Sequence, residues 1–290
     1  MTIAALGLVL ASALCHASWN FLLKRSEHKI AFLGLAGTIG AGTLLGPAII
    51  VIATKGIGWS GIALGFVTIC LHGVYGLTLA RGYQLGDLSS VYPVSRGVGL
   101  ALIPVAAVIL LGESISSFAI VGILLIAGGV YALHLEPHAI RDLAAPIRAL
   151  GRPAGRIALL TGALIATYSL WDKNALEELS PIVLNQFAMM GHAVITTSVA
   201  LRNGSGNVRH EWRERAWTIV AAGVFIQMAY LLILAALETS RVSYIAPTRE
   251  VGIVFGAILG VVMLGEGFGA WRIWASALIV AGVVTLAVAP

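Results

Sequence analysis

The chain has 290 residues, of which 59% are hydrophobic and 11% charged, with a mean hydropathy of +0.95 and a formal net charge of +5. A water-soluble domain carries roughly 25% charged residues, so this composition excludes a soluble globular fold and leaves a chain whose apolar faces meet lipid. The basic residues lie between hydrophobic runs, which makes them topology signals and not a nucleic-acid surface.

A helical span needs about 20 mostly apolar residues. Ten stretches meet that requirement: helix one at 3–23, two at 31–53, three at 60–80, four at 91–111, five at 116–135, six at 157–173, seven at 181–201, eight at 216–237, nine at 245–264 and ten at 270–288. The first run has no basic leader and no clear cleavage site, so it reads as a retained helix and not as a signal peptide. The two cysteines, Cys15 and Cys70, fall in apolar runs and read as small buried hydrophobes. The sequence shows no metal-ligand spacing, nucleotide-binding loop or catalytic triad order. The expectation is an all-α integral membrane protein without catalytic residues, metal or cofactor, whose partners are the lipid bilayer and a small-molecule substrate, with homo-oligomerisation left open.

Orientation follows from Lys and Arg. The connections after helices one, three, five, seven and nine hold twelve of them, against three on the other side, leaving out Arg96, Arg249 and Arg272 as embedded or at a helix end. The positive-inside bias puts the twelve in the cytoplasm and both termini outside.

The chain also repeats. Leu111-Gly112-Glu113 recurs as Leu264-Gly265-Glu266, Pro93 as Pro247 and Arg96 as Arg249. His16, Trp19 and Asn20 in helix one recur as Tyr168, Trp171 and Asp172 in helix six, and His72 and Tyr75 in helix three as Gln227 and Tyr230 in helix eight. The offsets, all between 152 and 155, divide the chain into five-helix halves at 1–142 and 143–290. Five is odd, so the halves insert in opposite senses, the architecture of many secondary transporters.

Polar groups in hydrocarbon are costly unless paired or facing water. His16, Trp19 and Asn20 share one helical face, as do Tyr168, Trp171 and Asp172, His72 and Tyr75, and Gln227 and Tyr230. Facing inward, these stripes line a cavity with aromatic walls and a few orienting hydrogen bonds. Their alternative role is to tie helices together, and Trp171 and Asp172 can instead sit at the membrane surface. Arg96 and Arg249 each present a planar fork that matches a carboxylate or phosphate. Their alternative is pairing with a carboxylate that locks two helices; Glu250, next to Arg249, points elsewhere on the helix and is not its obvious partner. Pro93 and Pro247 start or break helices four and nine. Glu113 and Glu266 close helices where a carboxylate opposes the dipole, so they read as caps of the following helices five and ten. Gly252, Gly256 and Gly260, like Gly34, Gly37, Gly40 and Gly42, read as close-packing faces.

A ten-span chain with a tryptophan in helix one, an early proline in helices four and nine, and Leu-Gly-Glu closing each of those helices resembles the EamA-type branch of the drug/metabolite transporter superfamily. The resemblance covers nearly the whole chain. It implies alternating access, a cavity lined by helices one, three, four, six, eight and nine, peripheral helices five and ten, and a bacterial inner membrane. The segment His16–Asn20 is more polar than that family's usual first helix, and Arg96 and Arg249 are charged where many members are neutral.

The expected function is secondary transport of a small amino-acid or organic-anion solute, with export the expected direction. Arg96 and Arg249 would take the anion, and Trp19, Tyr75, Tyr168, Trp171 and Tyr230 would shape the wall. Asn20, His16, His72 and Gln227 would supply hydrogen bonds. If transport is coupled, the driver is a proton, with Asp172, Glu250 and His16 the titratable candidates. Two other classes stay open: a carrier of organic cations that uses Asp172 and Glu250 in an aromatic cage, and an intramembrane enzyme with His16 or His72 as base.

Overall fold

The structure is a computed structural model that describes the chain apart from residues 86–87, 134–150 and 265–268, together with the backbone alone at residues 83, 88–93 and 264. Every regular element among the described residues is helical. In lipid the backbone must satisfy its own polar groups, and a helix does so within one segment. Helix one spans Ile3–Lys24 and is capped by Thr2, whose hydroxyl accepts the Ala5 N–H at 3.1 Å.

Among the described residues all ten expected ranges are helical, three of them interrupted. Eight helices are long and apolar enough to cross a membrane, and a ninth crossing is the bent pair Lys29–Thr43 and Leu45–Lys55, which together make helix two. Helix five, the 17-residue Ser117–Leu133, is apolar but among the described residues falls short of that length, and the last two residues of its expected range lie outside the described residues. Helix two bends by 45° ahead of Pro47, whose ring leaves one carbonyl of the preceding turn without its N–H partner. Helix seven contains a π turn, His192–Thr196, between Pro181–Gly191 and Thr197–Arg202. Helix nine starts at Val242, runs through Pro247, and then narrows to a 3-10 turn at Arg249–Val251 before continuing as Gly252–Leu264. Pro247 therefore precedes a break and does not start the helix. Pro93 lies within Leu88–Leu111, and its side chain is outside the described residues. Helix eight is longer than its span, because Ser205–Thr239 includes a polar prefix that departs from helical geometry at Arg215 (φ −137°, ψ 23°). The membrane-crossing part begins there, where the expected range 216–237 also begins.

Packing crosses between the halves. Helix one packs on helix eight, and helix six on helix three. Helix two packs on helix eight and helix seven on helix three, while helix four packs on helix six and helix nine on helix one. Each contact has a counterpart with the two halves exchanged. Helices five and ten pack on each other, joined at glycines: a Cβ on Gly282 would lie 2.6 Å from the Gly122 carbonyl oxygen. Three glycines of helix two are used the same way, with Gly34 against Thr197, Gly37 against His192 and Gly40 against the Gly223 carbonyl, while Gly42 has open space. In helix nine only part of the expected glycine face is closely packed, since Gly252 meets Ala13 while Gly256 has open space.

Carboxylates fasten the helix ends across the bundle. Gly112 adopts φ 64°, the left-handed conformation that favours glycine after a helix C-terminus. That turn aims Glu113 at helix nine, where its carboxylate accepts the N–H groups of Val242 (2.8 Å) and Ser243 (3.0 Å). Glu113 is therefore a cap, but of helix nine and not of the following helix five, and its negative charge sits at the favourable end of the dipole it meets. Glu266 lies outside the described residues. At the other end of the bundle, fully buried Glu211 accepts the N–H groups of Glu27 (2.9 Å) and His28 (2.7 Å), which closes the start of helix two. Lys173 Nζ donates to the Leu237 and Ser240 carbonyls at 2.6 and 3.1 Å, satisfying the end of helix eight.

Candidate functional site

The polar stripes converge on the middle of the bundle and form two adjacent buried cavities. The larger is lined by His16, Trp19, His72, Tyr75, Tyr168, Tyr230 and Arg249 among the expected residues, together with Leu33, Met189 and His192. It is narrow and has room for a few waters. The second cavity holds Arg96, Glu250, Ser169 and the other side of Arg249, between apolar residues of helices four, six, eight and nine. Arg249 reaches both because the 3-10 turn after Pro247 places it where the helix narrows.

Two hydrogen-bonded clusters share this space. In the first, the Arg96 guanidinium donates through Nη1 to Glu250 Oε1 at 3.0 Å and through Nη2 to His16 Nε2. Trp19 Nε1 donates to His16 Nδ1 at 3.2 Å, and Arg249 Nη2 approaches the same nitrogen at 3.2 Å. Arg96 and Glu250 are both nearly fully buried, and their pairing joins helix four to helix nine, one from each half. The expected alternative for the arginines thus holds for Arg96, with a partner 154 residues away. Arg249 behaves differently: among the described residues it has no ion-pair partner, and its Nε is buried without a hydrogen bond. The Glu250 Oε2 atom is likewise buried and unbonded.

The second cluster is centred on Asp172, which is fully buried within the helix bundle. His72 Nε2 lies 2.9 Å from Asp172 Oδ2, and the Tyr230 hydroxyl donates to that same oxygen while lying 3.1 Å from the imidazole. Asp172 Oδ1 has no partner. Tyr168 stacks on His72 with ring centroids 4.5 Å apart, and Tyr75 meets Tyr168 at 5.2 Å.

Other expected residues serve as supports. The Asn20 amide donates to the His16 carbonyl at 2.9 Å and lines neither cavity. Trp171 is half-buried and donates to the Thr68 hydroxyl at 3.1 Å, which fixes helix six to helix three. Gln227 is buried behind the wall with neither amide atom bonded, while its carbonyl accepts from Asn185 at 3.2 Å. Helices two and seven also reach the larger cavity through Leu33, Met189 and His192, whereas helix four reaches only the second, so the lining differs from the one the resemblance implies.

His192 is the cavity residue the sequence did not disclose. It stacks near His72 (6.1 Å) and Tyr75 (6.0 Å), and its ring is seated against Gly76, where a Cβ would come within 2.6 Å of His192 Nδ1. A lone histidine in an apolar run carries no pattern of its own. The two signals that locate it, a π turn and the facing glycines Gly37 and Gly76, exist only in three dimensions.

No curated protein sequence matches the chain. One solved crystal structure superposes with a TM-score of 0.73, covering 99% of this chain and 96% of that one at 17% sequence identity, which establishes a common fold and nothing finer. The model of the EamA-like transporter family matches residues 154–288, the helices from six to ten. Residues 154–288 are thus similar to the EamA-like transporter family, and the fold is shared with a solved structure over nearly the whole chain.

Proposed function

We propose that the protein is a secondary transporter of small organic anions or amino-acid-type solutes, which binds the carboxylate at Arg249, His16 and Trp19 and works by alternating access. The observation that carries this reading is the excess of donors around His16. Arg96, Arg249 and Trp19 can only donate, and they address both ring nitrogens. A neutral imidazole has one lone pair and one N–H, so at least one of these three contacts lacks an acceptor, as does Arg249 Nε. A carboxylate placed between Arg249 and His16 supplies acceptors to both, and buried donors gain most from such charge-assisted bonds. The Arg96–Glu250 pair would hold this site in place and would not itself bind the solute. For an amino acid, the unbonded Glu250 Oε2 beside Arg249 offers an acceptor for the ammonium group.

The organic-cation reading has weaker support, since Asp172 is engaged by His72 and Tyr230 and Glu250 by Arg96. The same proposal includes the two five-helix repeats at 1–142 and 143–290, both termini outside the cytoplasm of a bacterial-type inner membrane, and a direction of net flux set by the gradients, export included. Uptake of labelled amino acids and organic anions into proteoliposomes tests it. Saturable uptake by the wild type, lost in Arg249→Ala, is the expected result. Transport of organic cations that Arg249→Ala leaves unchanged would overturn the anion site.

A further inference from the structure

The two halves differ at one matched set of positions. Where helix one has Asn20, helix six has Asp172, and where helix eight has Gln227, helix three has His72. Of the two exchanged helix pairs, helix one with helix eight therefore places amides at positions where helix six with helix three carries an acid and a base. Packing alone does not demand an ionisable pair, because the exchanged contacts of helices one and eight are made without one. A buried carboxylate is costly in hydrocarbon and is retained where its charge is used.

The charges that face this site can be counted. On the elements packed against helix six they are Arg96 of helix four and Arg249 and Glu250 of helix nine, with the titratable His72 and Tyr75 of helix three and Tyr230 of helix eight. His16 and His192 face the same cavity, and Tyr168 belongs to helix six itself. With imidazoles neutral and phenols protonated, two arginines balance two carboxylates among these described residues. An anion entering the cavity breaks that balance by one negative charge.

Resting on the carboxylate-binding reading above, we infer that the Asp172–His72 pair is a proton site and that the protein carries net-monoanionic carboxylates together with one proton. The proton binds at Asp172 or the His72 imidazole, the Tyr230 hydroxyl bridges the two, and His72 and Tyr230 open onto the cavity where the anion sits. Anion and proton together leave the cavity charge unchanged, so the loaded carrier crosses without moving net charge, and both leave on the far side. An inward proton gradient then favours uptake, and export proceeds when the outward solute gradient exceeds it.

The test uses Asp172→Asn and His72→Gln, which copy the amides of the exchanged pair, helices one and eight, and are expected to fold. Infrared difference spectra of the purified protein between acidic and neutral pH need no substrate. A carboxylic-acid band present in the wild type and missing in Asp172→Asn supports the proton site, and identical difference spectra in the two proteins overturn it. Proteoliposomes with a trapped pH dye and labelled lactate, benzoate and amino acids supply the second measurement. One proton entering per lactate or benzoate, with no effect of an imposed membrane potential, is the expected result, and Asp172→Asn should lose accumulation driven by the pH gradient while keeping lactate exchange. Uptake unaffected by the pH gradient, or confined to zwitterions, overturns the coupling while leaving the carboxylate site standing. Absence of flux for every solute alongside a positive infrared result overturns the carboxylate-binding reading and the coupling built on it, and leaves the proton site standing.

Discussion

The cluster around His16 and the cluster around Asp172 both reach the larger cavity, yet they are built on opposite balances. The first has donors in surplus: two guanidinium groups and an indole converge on one imidazole, with a single carboxylate, Glu250, to receive them. The second has its donors gathered on one oxygen of Asp172, with the other oxygen still able to accept. Unequal clusters of this kind in a low-dielectric interior are costly as scaffolding, and they make sense as places where charge arrives and departs. Within the first cluster the two arginines also differ, since Arg96 is locked into an ion pair and Arg249 is not.

That difference can be broken by substitution, and the largest effect on stability is expected at Arg96. Arg96→Ala leaves Glu250 buried without its hydrogen-bonded ion-pair partner, which costs about 3–5 kcal/mol; a sharply lowered thermal transition in detergent is the expected outcome, with much of the loss recovered in Arg96→Ala/Glu250→Gln. Arg249→Ala removes no ion pair, so the transition should move little while the affinity for carboxylates falls about a hundredfold, the scale of a charged hydrogen bond. If the two alanine variants behave alike, the distinction between holding and binding arginines fails. Tyr230→Phe removes one of the donors on Asp172 and should cost about 1–3 kcal/mol of stability, and it should shift the pH dependence of uptake with little change in affinity at a fixed favourable pH. Glu113→Ala removes the cap of helix nine and should cost about 1 kcal/mol without altering substrate preference. Glu27→Ala, at the exposed pair with Arg215, should change the thermal transition by less than about 1 kcal/mol.

Much of this could be read from residue order. The spans followed from hydropathy, and the start of the eighth was placed within a residue of the Arg215 kink because charge ends there abruptly. The stripes His16–Trp19, His72–Tyr75 and Tyr168–Trp171 were visible because helical spacing fixes which residues share a face. What helical spacing cannot give is which face meets which across the halves. The Arg96–Glu250 pair and the capping of helix nine by Glu113 each join residues more than a hundred positions apart, and the adjacent Arg249–Glu250 order pointed away from the true partner. His192 and Glu211 went unseen for a related reason. Each is a single polar residue whose meaning depends on its partners: Gly37 and Gly76 seat the histidine, and the N–H groups of Glu27 and His28 meet the carboxylate.

The central claim is that Arg249 and His16 form a carboxylate site. Equilibrium binding of labelled lactate, benzoate and amino acids to the detergent-purified protein, with organic cations as competitors and Arg249→Ala beside the wild type, tests it most directly. The account predicts saturable binding of carboxylates that cations fail to displace and that Arg249→Ala loses. Binding that survives in Arg249→Ala, or that organic cations displace, would contradict it.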